Sequence, residues 1–102
     1  MPEWIAIANT SEIAPGSAKE CVVNGRIVAL FRTEEGFHAI DGICAHAGGP
    51  LADGEVNGCI VTCPWHGWQY DISTGISCLS SQIRVQAFNV KVEGESIQVE
   101  IP

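Results

Sequence analysis

Two short segments hold most of the residues able to bind a metal: Cys44-Ala45-His46 and, after sixteen intervening residues, Cys63-Pro64-Trp65-His66. Each supplies one sulfur and one imidazole nitrogen. Gly48-Gly49-Pro50 after the first and Gly67 after the second allow the backbone to fold tightly. Two such loop tips facing each other can enclose one metal centre. The ligand set suits either a tetrahedral Zn²⁺, or a [2Fe–2S] cluster with both sulfurs on one iron and both imidazoles on the other. Zinc fingers usually keep cysteines together and histidines together along the chain, whereas here each loop mixes the two, which favours the cluster.

The segments that must carry these loops have the texture of an antiparallel β protein: short apolar runs with β-branched residues, broken every few positions by Gly, Asn, Asp or Ser. Strands are expected over 3–8, 19–23, 26–32, 37–40, 59–62, 69–72, 84–93 and 96–101, and no long helix. Asn24-Gly25 predicts a type I′ hairpin, because both residues tolerate positive φ. The run Arg26 to Phe31 is apolar nearly throughout and predicts a strand buried on both faces in a two-sided core. Ile97, Val99 and Ile101 alternate onto one face.

The stretch 41–79 differs in kind, with four of the five cysteines, two of the three histidines and two of the three tryptophans. It is expected to form a small site-bearing subdomain inserted into a β base made of 1–40 and 80–102, all within one domain over 1–102. Outside the paired motifs, Cys21, Cys59 and Cys78 are read as small buried apolar residues, Trp4 as core and His38 as structural. Trp65 and Trp68 suit either core packing or an exposed contact patch.

Length and charge narrow the field. With 102 residues there is room for one core. The net charge of −7 argues against nucleic acid and anionic membrane as partners. Between Arg32 and Arg84 there is no Lys or Arg, while Glu34, Glu35, Asp41, Asp53, Glu55 and Asp71 fall inside that interval, so a partner meeting it is expected to be basic. No apolar run is long enough to span a bilayer, and the first residues lack the pattern of a secretion signal, so a cytoplasmic location is expected. The odd number of cysteines fits reduced thiols or metal ligands better than a disulfide framework.

The two motifs, read as Cys44-Ala-His46-Ala-Gly48-Gly-Pro50-Leu51 and Cys63-Pro-Trp-His66-Gly-Trp68, resemble the ligand boxes of the Rieske family, and within it the small Rieske-type ferredoxins of bacterial ring-hydroxylating oxygenases. Asp53-Gly54, Tyr70-Asp71 and Thr74-Gly75 extend the likeness. The resemblance implies an all-β Rieske (ISP-domain-like) fold, an antiparallel β-sandwich base with the cluster-binding subdomain inserted. It implies one [2Fe–2S] cluster, with Cys44 and Cys63 on the inner iron and His46 and His66 on the outer one. It further implies a one-electron carrier, not itself an enzyme, working between an NAD(P)H-dependent flavoprotein ferredoxin reductase and a terminal oxygenase of the aromatic-ring dioxygenase type. A small Rieske-fold subunit of a nitrite reductase and a structural zinc-binding interaction domain are the alternatives.

Two neutral imidazoles in place of two thiolates make the oxidised centre neutral, which eases the uptake of an electron and raises the potential above that of all-cysteine clusters. Relative to the high-potential branch of the family, Gly49, Trp65 and Trp68 stand where bracing cysteines and a hydroxyl donor are found, which implies a low-potential centre. Tyr70, four residues after His66, is expected to donate its hydroxyl to a cluster thiolate. The segment 76–83 lacks the proline common in the family's shielding loop.

Overall fold

The computed structural model describes residues 3–45, 48–65 and 67–101; the expected ligands His46 and His66 lie outside the described residues. Among the described residues ten strands run in order: β1 Glu3–Asn9, β2 Ala18–Val23, β3 Arg26–Thr33, β4 Gly36–Asp41, β5 Glu55–Asn57, β6 Ile60–Thr62, β7 Gln69–Asp71, β8 Ala87–Phe88, β9 Val90–Glu93 and β10 Ser96–Ile101. The only helical pieces among the described residues are 3₁₀ turns at Thr10–Glu12 and Leu51–Asp53. Every strand pairing is antiparallel, in three sheets ordered β1-β10-β9, β2-β3-β4-β8 and β5-β6-β7.

The hairpin between β2 and β3 turns on Asn24 and Gly25, with φ of 51° and 77°, as the dipeptide predicts. β3 then does what its unbroken apolar run requires. Val28 and Leu30 face a core shared with Val23, Ile97, Val99 and Ile101, while Ala29 and Phe31 face a second core with Ile40, Leu51, Val61, Tyr70 and Ile72. Each of the larger side chains fully buried here contributes about 1.5–3 kcal/mol relative to exposure. One strand therefore joins the base to the inserted β5-β6-β7 unit, and Cys44 and Cys63 sit within the second core.

The chain between β7 and β8 folds back on that unit. Ile76 bridges Arg84, the Ser77 N–H donates to the Ile83 carbonyl, and the Val85 N–H donates to the Gly75 carbonyl at 2.8 Å. The single strand expected over 84–93 is two. Ala87–Phe88 pairs with β4 and Val90–Glu93 with β10, so the chain changes sheets at Asn89, where the Glu100 N–H donates to the Asn89 carbonyl.

Two burial expectations are overturned. Trp4 is 39% exposed. On β1 the core-facing positions are Ile5 and Ile7, and alternation turns Trp4 outward, where the Lys91 ammonium lies 4.5 Å from its ring centre. Cys78 is exposed and Cys59 only half-buried, whereas Cys21 is buried as expected. The Cys78 N–H donates to the Gln69 carbonyl, and from there the chain turns over the surface through Leu79. Cys59 is held at the edge of the second core by Asp71, whose Oδ1 lies 3.7 Å from its Sγ. His38 is half-buried, and its Nε2 is enclosed with no hydrogen-bond partner among the described residues. No helix among the described residues is long and apolar enough to cross a membrane.

Candidate metal centre

Both cysteine loops close by the same two backbone bonds. The Cys44 N–H donates to the Gly49 carbonyl at 2.9 Å, and the Gly48 N–H donates back to the Cys44 carbonyl at 3.0 Å. In the second loop the Cys63 N–H donates to the Trp68 carbonyl at 2.7 Å, and the Gly67 N–H donates to the Cys63 carbonyl at 3.2 Å. Gly48 and Gly67 reach this turn with φ of 74° and 75°, a left-handed backbone that L side chains adopt only at a cost. The spacing of four from each cysteine to its glycine was visible in the sequence; the shared bonding pattern was not.

Both cysteines are nearly sealed from solvent, at 3% and 2% exposure, and lie close enough for one thiol to act on the other. Burial pushes the Cys63 thiol above its ordinary range and the neighbouring Cys44 adds to this, while the Trp65 N–H pulls the other way. Such a pair ionises readily only when a cation takes up the charge, which is the behaviour of a soft-metal donor set. Gly49 gives the sulfur its room: a Cβ there would lie 2.8 Å from Cys63 Sγ and 3.0 Å from Trp65 Cγ. The cradle therefore fits a group bound through two sulfurs.

Tyr70 lies against the first of them. It is fully buried on β7, with its hydroxyl oxygen 3.2 Å from Cys44 Sγ and accepting the Ala45 N–H at 3.1 Å. With the backbone amide supplying that donor, the phenolic hydrogen is free to point at the sulfur. Burial first, then the bond with Cys44, pushes the phenol up to about 12, so it keeps that hydrogen through the neutral range. The two tryptophans divide: Trp65 is half exposed at the loop tip, and Trp68 is partly buried against the second core.

The structure thus brings together Cys44, Cys63 and Tyr70. Another acidic group of the region serves the loop itself. Asp71 Oδ1 accepts the Ser73 N–H at 2.8 Å and the Ser73 hydroxyl at 2.6 Å, bonds that hold its carboxyl below the usual range against the opposing effect of burial.

The all-β scaffold, the paired glycine turns and the facing sulfurs define an iron–sulfur protein fold, and the family model described as the Rieske [2Fe-2S] domain matches residues 3–89. The chain belongs to that family, and its cofactor is a Rieske-type [2Fe–2S] cluster. It is 28% identical over 100 residues to the ferredoxin component of the naphthalene 1,2-dioxygenase system of Pseudomonas aeruginosa, covering 97% of this chain and 96% of the relative. Among solved structures it is similar to the ferredoxin of carbazole 1,9a-dioxygenase from Nocardioides aromaticivorans IC177, with a TM-score of 0.88 and 28% identity over 94% of this chain and 95% of the other. It is also similar to a chain in a complex of reduced oxygenase and oxidized ferredoxin of carbazole 1,9a-dioxygenase, with a TM-score of 0.84, 26% identity, and coverage of 94% and 91%.

Proposed function

We propose that the chain is a one-electron carrier, a single Rieske domain over 1–102, that takes electrons from an NAD(P)H-dependent flavoprotein reductase and delivers them to the terminal oxygenase of an aromatic-ring dioxygenase system. The observation that carries this reading is the buried pair of facing sulfurs at the end of two matched turns, in a chain similar over nearly its whole length to dioxygenase ferredoxins. Cys44 and Cys63 hold one iron; His46 and His66, two and three residues beyond them in sequence, hold the other. When bound, the cluster supplies reversible uptake of one electron. Gly49 keeps the sulfur pocket open, the two glycine turns fix both sulfurs, and Leu51, Val61 and Ile72 exclude water from behind. No acid, base or nucleophile is needed for this task, and the carrier is not itself a catalyst.

Anaerobic purification with iron and sulfide analysis tests the reading: about two irons and two acid-labile sulfides per chain are expected, with a Rieske-type paramagnetic signal on reduction. A colourless protein holding one zinc and no sulfide overturns it. A stable complex with a large nitrite-reducing subunit would replace the mobile carrier by a fixed subunit.

The Tyr70 hydroxyl stabilises extra negative charge on Cys44 more than it stabilises the oxidised state. Tyr70→Phe is therefore expected to lower the midpoint potential by about 1–2 kcal/mol, or roughly 40–90 mV for one electron. Spectroelectrochemical titration of both proteins measures this, and equal potentials would remove Tyr70 as a donor.

A further inference from the structure

A sheet edge carries a row of unpaired backbone groups, and folded chains usually blunt it with a bulge, a covering segment, charge or extreme shortness. Most edges of this fold are blunted. β1 has a register shift between Ala6 and Ala8, β8 is two residues long and β5 three, and Ser77 bridges Tyr70 on the outer side of β7. β9 carries the Lys91–Glu93 ion pair. β2 is the exception: it runs for six residues in unbroken register against β3, with neither bulge nor proline.

The outer side of β2 can be assigned group by group. The Arg32 N–H donates to the Ser17 carbonyl, so Ser17 is bonded toward β3, and the alternation of an antiparallel ladder puts Lys19, Cys21 and Val23 in the same state. The N–H and carbonyl groups of Ala18, Glu20 and Val22 therefore point away from β3, and among the described residues no backbone bond engages them. Beside them runs a groove of about 380 Å³ between residues 5–7 of β1 and 19–24. Cys21 Sγ lies 4.0 Å from the Ile7 carbonyl oxygen, so the two edges face each other without pairing.

Side chains decide what fits this edge. Val22 is 71% exposed, on the same face of β2 as Glu20. Lys19 is engaged by Glu12, whereas Glu20 makes no ion pair among the described residues, and Asp53 stands exposed on the 3₁₀ turn that packs against β2. A second copy of the chain fits poorly. In the two-fold antiparallel register that overlaps 18–22 fully, Glu20 falls opposite its own copy, a destabilising like-charge pair. A strand from another protein, with a cation opposite Glu20, satisfies both the backbone and the charge.

We propose that the outer edge of β2 is a docking site for an extended, basic segment of a partner protein, which adds a strand to the β2-β3-β4-β8 sheet with Lys or Arg facing Glu20 and an apolar residue over Val22. Neither cysteine loop lines the groove, so strand addition grips the base and leaves the sulfur-bearing loops uncovered.

The probe is an acetylated, amidated peptide of about eight residues, with valine at alternate positions and lysine and threonine between them. It is added to isotope-labelled, oxidised holoprotein, and amide hydrogen exchange is followed by NMR. Saturating peptide is expected to slow exchange about tenfold at Ala18, Glu20 and Val22, and to leave Lys19, Cys21 and Val23, already bonded to β3, nearly unchanged. Non-specific binding does not alternate in this way along a strand. Val22→Pro removes one outward N–H and none that bonds to β3, so it should keep the wild-type visible spectrum and bind the peptide about tenfold more weakly. Glu20→Lys should also weaken binding of the lysine peptide, and should recover it for a version carrying glutamate instead. Unchanged exchange at Ala18, Glu20 and Val22, or protection spread evenly along β2, overturns the proposal. Protection that grows with protein concentration in the absence of peptide would make the occupant a second copy and overturn it as well.

Discussion

Cys63→Ser is expected to give a folded but colourless protein. A serine hydroxyl does not ionise in the neutral range, whereas the thiolate is the ligand that iron–sulfur clusters require. The change removes one sulfur from a pocket built for two, since Cys63 faces the Cys44 thiol and Gly49 leaves just enough space for its Sγ. The fold should survive, because the turn is closed by the Cys63 backbone N–H and carbonyl, which serine retains. The cost in stability is that of a slightly smaller, polar atom in the second core, about 1–2 kcal/mol. Circular dichroism matching the wild type, with iron, sulfide and visible absorption reduced to background, is the expected result. Cys21→Ser, in the other core and away from both loops, should keep its colour. An iron-loaded Cys63→Ser protein with an unaltered paramagnetic signal would show that the cluster has other ligands.

The second large effect is structural. Gly75 has φ of 77°, and a Cβ there would lie 2.2 Å from the Val85 carbonyl oxygen. Backbone bonds fix it on both sides: its N–H donates to the Asp71 carbonyl at 2.7 Å and its carbonyl accepts the Val85 N–H at 2.8 Å. Neither partner can retreat without opening the seam between the inserted unit and the chain returning to the base. Gly75→Ala should therefore cost about 2–4 kcal/mol, combining backbone strain with the clash. Gly16 provides the comparison, with φ of 81° but nothing within 4 Å of its Cβ position. Gly16→Ala should show the conformational cost alone, about 1 kcal/mol. Urea unfolding followed by tryptophan fluorescence measures both, and equal midpoint shifts would show that the close approach at Gly75 is not confining.

What the amino-acid order made legible was local chemistry. Asn24-Gly25 carries its turn type in its own φ preferences, and the unbroken apolar run of β3 could be buried only between two cores. The cysteine motifs announced a metal through ligand type and spacing, and Tyr70 emerges where the resemblance put it, against Cys44. Features that depend on distant partners were not legible. The change of sheet at Asn89 is invisible to alternation, because Ala87–Phe88 and Val90–Glu93 are both good strand sequence and differ only in their neighbours. Trp4 and Cys78 were misread for a related reason: apolar character says that burial is favourable, while the side of an edge strand or the course of a surface turn decides whether it occurs. The crowding at Gly75 and Gly49 likewise arises between segments far apart in the chain.

The two cysteine turns are closed by backbone bonds that involve neither sulfur nor metal. Their geometry is thus set independently of whatever the sulfurs hold, and the side chains behind them are buried from bulk solvent. Arrival or departure of an electron then demands little nuclear rearrangement, so self-exchange between oxidised and reduced copies should be rapid at modest driving force, as a shuttle working near equilibrium requires.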